Sequence, residues 1–291
     1  MAEIKIKAAA KINLTLDIIG KRADGYHDIR TIMQSIGLFD TVTLTQNSSK
    51  EITVSCNHPD VPCDERNIVY KCAAAFYKRL GDKCGGLHIH IEKNIPTQAG
   101  LAGGSADGAA VVVGLNELSG RPFSSEELEE IGGTVGADIP FCIRGGTVLC
   151  EGIGTALTTL ENIPECYFVL VKPPVGISTA QAYNAVDSRK VTPETATDKM
   201  LDVLNDVEKT GRFLRNDFED TLNISELLAI KKELANFEGC KGACMSGSGS
   251  TVFGIFTDRE KAAVCAESFK DRCKEVSIAD KVDFGTAILK N

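Results

Sequence analysis

The sequence has 291 residues, 43% hydrophobic and 25% charged, within the range of folded globular chains and outside collagenous, fibrous or disordered ones. At this length one core gives way to two, so two lobes with a ligand cleft between them are expected. Thirty-two Lys and Arg against 40 Asp and Glu leave a net charge of −8, which argues against general affinity for nucleic acid or anionic membrane; an anionic ligand would need locally placed cations and backbone N–H groups.

The chain starts Met1-Ala-Glu-Ile-Lys-Ile-Lys, alternating charge with apolar residues instead of forming a signal-peptide core, and no stretch reaches the roughly 20 apolar residues of a membrane helix. These features predict a cytoplasmic protein. From Ile4 to Ile19 apolar residues recur at about every second position, a strand pattern closed by turn residues Gly20 and Asp24-Gly25. More strands are predicted at Thr41 to Thr45, Glu51 to Cys56 and Gly86 to Ile91.

Asp64 to Leu80 changes to helical period, with Asp64 in the cap region and Gly81 as the stop. Ser105 to Leu118 reads as a second helix, and Ser124 to Ile131 as a third that opens with a Ser124/Glu127 capping box. Beyond Gly145-Gly146 come strands around Val148 and at Tyr167 to Val171, then Pro173-Pro174. A lobe boundary is expected within residues 157–166, dividing the chain into 1–158 and 159–291. Helices follow near Asp198 to Val207, Phe213 to Leu222 and Ser225 to Phe237, then a strand at Val252 to Phe256, a helix from Asp258 and a last strand near Val282 to Leu289. The pattern is α+β. Eleven cysteines without a CxxC pair or zinc spacing read as reduced thiols, mostly small core residues.

The densest chemical signal is Pro96-Thr97-Gln98-Ala99-Gly100-Leu101-Ala102-Gly103-Gly104-Ser105-Ala106, between a strand and a helix. Glycines let the backbone approach a ligand, and a helix start offers unpaired N–H groups at the positive dipole end, a combination suited to phosphates. It is neither a Walker A loop nor a dinucleotide fingerprint, so hydride transfer is disfavoured. The plainer reading is a tight strand-to-helix turn. A second run, Gly242 to Ser250, precedes a strand and strengthens the phosphate-binding reading, since two such loops are hard to explain as turns alone; its plainer reading is a flexible hairpin. Asp138, in Gly136-Ala-Asp-Ile-Pro140, sits at an element end, where it reads as a cap or as a carboxylate facing a cleft. Lys11 interrupts the first strand's alternation beside three alanines, with Asn13 two residues on and so on the same face. A solvated strand lysine is the alternative.

Together with Gly20-Lys-Arg-Ala-Asp-Gly25-Tyr26-His27 and Thr31-Ile-Met-Gln34, with Asn216-Asp-Phe-Glu219 and Met245-Ser-Gly-Ser-Gly-Ser250, these residues resemble the small-molecule kinases that include galactokinase, homoserine kinase and mevalonate kinase, over essentially the whole chain. The match is nearest to a branch that acts on a cytidyl diphosphate sugar alcohol in the non-mevalonate isoprenoid route. The resemblance implies a two-domain GHMP-kinase-like architecture: a ribosomal-protein-S5-domain-2-like N-terminal lobe, a ferredoxin-like C-terminal lobe and an active site in the cleft between them. It implies ATP and Mg²⁺ as cofactors, phosphorylation of the 2-hydroxyl of the sugar alcohol, and a monomer or homodimer.

By the same resemblance, Asp138 is the general base and Lys11 its charged partner, residues 96–106 wrap the nucleotide phosphates and Ser105 reaches the metal. Substrate contacts are implied for Asn13, Tyr26 and His27, with Tyr26 and His27 recognising cytosine, and for Tyr183 as a second aromatic or else a helix core residue. Lys93 is expected to add charge compensation beside the loop. Ala102 departs from the family, which usually has Gly there; its methyl restricts positive φ. The rival readings are a kinase for a mevalonate-type or sugar substrate and a non-catalytic nucleotide-binding protein.

Overall fold

The structure is a computed structural model that describes residues 2–81, 85–186 and 195–289; Cys84 lies outside them. Two long strands frame the first lobe. β1 (Glu3–Lys21) and β2 (His27–Gln46) pair antiparallel from Glu3↔Thr45 to Lys21↔His27, with register shifts between Ala9/Ala10, Asn13/Thr15 and Ile18/Gly20. Such shifts bend and twist a ribbon locally, and here two of them bracket Lys11. β3 (Ile52–Cys56), α1 (Ile68–Leu80) and β4 (Leu87–Glu92) follow, with β3 parallel to β4 and β4 antiparallel to β2. Next come α2 (Gly103–Leu118), α3 (Ser125–Gly133) and α4 (Ile139–Arg144). β5 (Thr147–Gly152) then returns to pair with β2, and β6 (Ala156–Thr159) pairs with β5.

The second lobe starts with β7 (Tyr167–Lys172), continues through α5 (Thr179–Val186), α6 (Ala196–Leu201) and α7 (Val207–Phe213), then β8 (Arg215–Asn216), α8 (Asp217–Leu222) and α9 (Ser225–Asn236). It ends with β9 (Cys240–Met245), β10 (Val252–Phe256), α10 (Arg259–Glu267), β11 (Glu275–Asp280) and β12 (Thr286–Leu289). Among the described residues, β7, β9, β10 and β11 make an antiparallel sheet in the order β11–β7–β10–β9, the strand order of a ferredoxin-like lobe. β8 and β12 instead lie beside β1 in the first sheet, so the chain's last strand returns to the lobe that its first strand opened.

The second sheet has two buried faces. Phe168, Leu170, Phe253 and Ile255 join the core of the first lobe, while Val169, Val171, Val252 and Phe256 pack with α9 and α10 residues such as Leu234 and Cys265. The period of two is therefore kept under continuous apolar sequence. In α2, Ala106, Ala109, Ala110, Val111, Val112 and Leu115 are all buried, as expected for a helix enclosed on most sides. The capping box at α3 forms, Ser124 Oγ accepting from Glu127 N at 3.3 Å and Ser124 N donating to Glu127 at 2.9 Å.

Several elements differ from the sequence reading. α1 begins after Asn67, whose Oδ1 accepts from Val69 N at 3.0 Å, so Asn67 and not Asp64 is the cap. β2 is far longer than Thr41 to Thr45, because its buried Gln34, Ser35 and Asp40 hide the alternation. The helix expected at Phe213 to Leu222 is interrupted by β8, since Asn216 takes an extended conformation to cap α8. β9 and β11 were not expected: β9 carries Lys241-Gly242 and β11 is only half-buried, so neither shows a clean apolar signal. The ten described cysteines are free. No helix among the described residues is long and apolar enough to cross a membrane.

Candidate active site

A cleft of about 1180 Å³ opens between the lobes, lined by the centre of β1, the Pro96 to Ser105 loop, the start of α4, the β9–β10 turn and α5. Lys11 and Asn13 project into it from β1. Lys11 is nearly fully buried and its Nζ donates to Asn13 Oδ1 at 2.7 Å; Asn13 Nδ2 in turn donates to Thr31 Oγ1 at 2.8 Å. Asp138 occupies the position just before α4, and its side chain makes no capping bond to the helix. Its carboxylate lies 3.8 Å from Lys11 Nζ and is 34% exposed, so one face is free to meet a ligand.

The first glycine loop is held by its carbonyls. Ala99 O accepts from Thr251 N, Gly100 O from Ser246 Oγ and Leu101 O from Lys11 N. Meanwhile the N–H groups from Gly100 to Ser105 donate to no protein group among the described residues. Together with the start of α2 they form a row of donors at a positive helix end, the requirement for an anion cradle. A Cβ on Gly100 (φ +73°) would fall 2.0 Å from Ser246 O, so only glycine lets the two loops meet. Ala102 adopts φ +56°, a left-handed conformation that strains a residue with a Cβ.

The Gly242 to Ser250 run is indeed a hairpin, joining the antiparallel β9 and β10, and its Gly247 to Gly249 segment also lines the cleft. Also lining the cleft, the rings of His27 and Tyr183 stack, centroids 4.9 Å apart at 26°, and Tyr183 meets Phe218 edge-on at 4.9 Å. Burial, with the Asp138 charge nearby, pushes the Tyr183 phenol up to about 12, so it stays a neutral donor. Tyr26 stands at the rim, 62% exposed.

Two expected residues are placed differently. Lys93 lines the cleft, but its ammonium is buried between Asp40 and Asp107, bonding the first and lying 3.0 Å from the second; its charge is already neutralised and it does not stand free beside the phosphates. Burial alone would lower the Lys93 ammonium, but the two carboxylates hold it above its ordinary value. One ammonium cannot satisfy two carboxylates. Burial pushes the Asp107 carboxyl well above the ordinary range against the pull of Lys93, and its Oδ1 has no hydrogen-bond partner among the described residues. Ala106 is the second exception: its methyl is fully buried in the core and away from the cleft. The sequence reading did not single out Phe218, Asn67 or Ser246, all placed at the cleft or its walls. Asn67 carried a cap signal that the nearer charge of Asp64 obscured.

Ser105 opens onto the cleft with no protein partner for its hydroxyl among the described residues, and there is no cluster there of three or more His, Cys, Asp or Glu able to hold a metal. Mg²⁺ with a nucleotide takes most of its ligands from phosphates and water and one or two from protein, so the Ser105 hydroxyl fits such an ion.

This combination of lobes, glycine loops and a Lys/Asp pair defines a class. Residues 67–146 match the family model for the GHMP kinases N terminal domain and residues 200–275 that for the GHMP kinases C terminal domain, and the chain belongs to the GHMP kinases. Within that family it is 44% identical over 278 residues, 94% of this chain and 99% of the relative, to the 4-diphosphocytidyl-2-C-methyl-D-erythritol kinase of Clostridium botulinum (strain Eklund 17B / Type B). It is 42% identical to the protein of the same name from Clostridium tetani, over 96% of this chain and 100% of that one. A crystal structure of 4-(cytidine 5'-diphospho)-2C-methyl-D-erythritol kinase superposes with a TM-score of 0.81 at 28% identity, covering 95% of this chain and 98% of that one. Homoserine kinase from Cytophaga hutchinsonii shares the fold, with a TM-score of 0.80 at 20% identity over 99% and 98% of the two chains.

Proposed function

We propose that the protein transfers the γ-phosphoryl group of ATP to the 2-hydroxyl of 4-diphosphocytidyl-2-C-methyl-D-erythritol, a step of the non-mevalonate route to isoprenoid precursors. The observation that carries the reading is the Lys11–Asp138 pair, 3.8 Å apart, in a cleft also lined by the two glycine loops and an aromatic stack. The relatives' names support the choice of substrate.

In this account the N–H row from Gly100 to Ser105 grips the phosphates. Asn13 fixes the Lys11 ammonium, which leaves its remaining protons directed at the transferring group and at Asp138. Asp138 accepts the proton of the attacking hydroxyl. Because such transfers pass through a loose transition state, alignment and charge neutralisation contribute more than proton removal. Mg²⁺ held by the Ser105 hydroxyl would neutralise phosphate charge. The His27 and Tyr183 rings are too close for a base to enter between them, since centroids 4.9 Å apart leave no room for a third plane. Cytosine therefore stacks on the outer face of that pair or against Tyr26 at the rim. The ten free thiols fit the reducing cytoplasm.

The test is turnover of ATP with three acceptors: the cytidyl substrate, mevalonate and homoserine. The reading expects phosphorylation of the first alone. Equal or better turnover of either other alcohol would replace it.

A further inference from the structure

We infer that Asn216, which lies outside the cleft, is a positioning residue that holds the second glycine loop at the reacting phosphoryl group. The inference rests on the kinase reading above and adds a residue to it. Asn216 is 2% exposed. Its Nδ2 donates to Met245 O at 2.8 Å and to Gly247 O at 2.7 Å, while its Oδ1 accepts from Phe218 N at 2.9 Å. These three main-chain partners dictate the amide orientation, since two carbonyls demand the NH₂ side and an N–H demands the oxygen.

Asn216 is itself fixed to the catalytic strand. β8 runs parallel to β1 with Asn216 opposite Leu16, and β1 carries Lys11 and Asn13. From the other side one hydroxyl joins the turn to the same strand and to the phosphate loop, Asn13 N donating to Ser246 Oγ at 3.3 Å and Ser246 Oγ to Gly100 O at 2.9 Å, while beyond the turn Thr251 N donates to Ala99 O. Within the Ser246 to Gly249 turn, that hydroxyl acts as a pivot. Asn216 grips the chain on both sides of that pivot, at 245 and 247, and so sets its angle. Gly247 is where the angle matters, because a Cβ there would lie 3.3 Å from Lys11 Nζ and 3.0 Å from Gly100 O.

Met245 has a second anchor, its N–H donating to the buried Glu219 carboxylate at 2.9 Å. Loss of Asn216 therefore frees the Ser246 to Gly249 turn while β9 stays in its sheet. Asn216→Asp is the sharpest perturbation: the shape is kept and the cap to Phe218 N survives, but a carboxylate oxygen replaces the NH₂ group and faces two carbonyls.

The experiment compares the parent, Asn216→Asp and, as a control on the exposed face of the same helix, Asp220→Asn. Steady-state kinetics with ATP and the cytidyl substrate is one readout. Hydrogen–deuterium exchange of the 245–251 segment without substrate is the other. Asn216→Asp is expected to lose about 100-fold in kcat, the scale of a 1 Å misplacement, with KM for both substrates within about threefold of the parent, and to exchange faster in 245–251. Asp220→Asn is expected to match the parent in both. A purely structural role would lower Tm and leave kcat per folded molecule unchanged. If Asn216→Asp does not accumulate as folded protein, Asn216→Ser, which keeps an N-cap oxygen and removes both donations, carries the same two readouts. Turnover within about threefold of the parent, or unchanged exchange in 245–251, overturns the inference. If the parent itself fails to phosphorylate the cytidyl substrate, the reaction reading falls, and the exchange readout still decides the role of Asn216.

Discussion

Gly100→Ala tests whether the meeting of the two glycine loops matters to the chemistry. The new Cβ would lie 2.0 Å from Ser246 O, and relieving it to 3.0 Å requires the loops to part by about 1 Å. Parting them breaks the Ser246–Gly100 bond, about 1 kcal/mol, and alanine at φ +73° costs about another 1–2 kcal/mol, offset by roughly 0.5 kcal/mol of unfolded-state entropy. The expected destabilisation is about 2 kcal/mol, measured by urea unfolding. A 1 Å displacement of phosphate-binding amides should also lower kcat/KM about 100-fold, or about 2.7 kcal/mol of transition-state stabilisation. Gly120→Ala separates strain from contact, because Gly120 has φ +79° with nothing within 4 Å of a Cβ; it should lose about 1 kcal/mol and keep full turnover. If Gly100→Ala turns over like Gly120→Ala, the loops do not act as one cradle and the reasoning is refuted.

Three further outcomes follow from particular residues. Ala102→Gly relieves the left-handed alanine at φ +56°, about 1–2 kcal/mol, against about 0.5–1 kcal/mol of glycine entropy, so the urea midpoint should rise by the equivalent of about 0.5–1 kcal/mol; a lowered midpoint would show that the loop needs the methyl. Asp107 holds its proton more tightly folded than unfolded, so the stability it contributes is present at low pH and drains away as pH rises through its folded pKa. Asp107→Asn should remove that loss, its Tm gaining on the parent's from pH 5 to 8; parallel curves would show Asp107 ionised throughout. Tyr183→Ala removes the ring stacked on His27 and should raise KM for the cytidyl substrate about tenfold or more, from roughly 1–3 kcal/mol of base stacking, with KM for ATP little changed; an equal rise in both would place Tyr183 elsewhere than at the base.

How much of this was legible in the sequence depended on whether a residue's role showed in its neighbours along the chain. The phosphate loop and the α3 capping box were local patterns. Lys11 stood out because it broke an apolar alternation, and the fold kept it on the same face as Asn13. Asp138 gained meaning only beside Lys11, a pairing across 127 positions that the resemblance supplied. The partners of Lys93 did not show because its two carboxylates come from β2 and α2, and nothing local announces them. The length of β2 was hidden by buried polar residues whose partners are remote, such as Thr147 Oγ1 donating to Gln34 Oε1. The same holds for Asn216, a polar residue before a short helix whose importance lies in carbonyls about 30 positions downstream.

The central claim is that Asp138, beside Lys11, activates an alcohol for attack on ATP. Rapid-quench single-turnover transfer to the cytidyl substrate, with parent and Asp138→Asn both saturated in ATP, tests it most directly. The account predicts that the variant binds nucleotide as the parent does and transfers phosphoryl at least about 100-fold more slowly, the lower range for a lost general base. Transfer at the parental rate would contradict it.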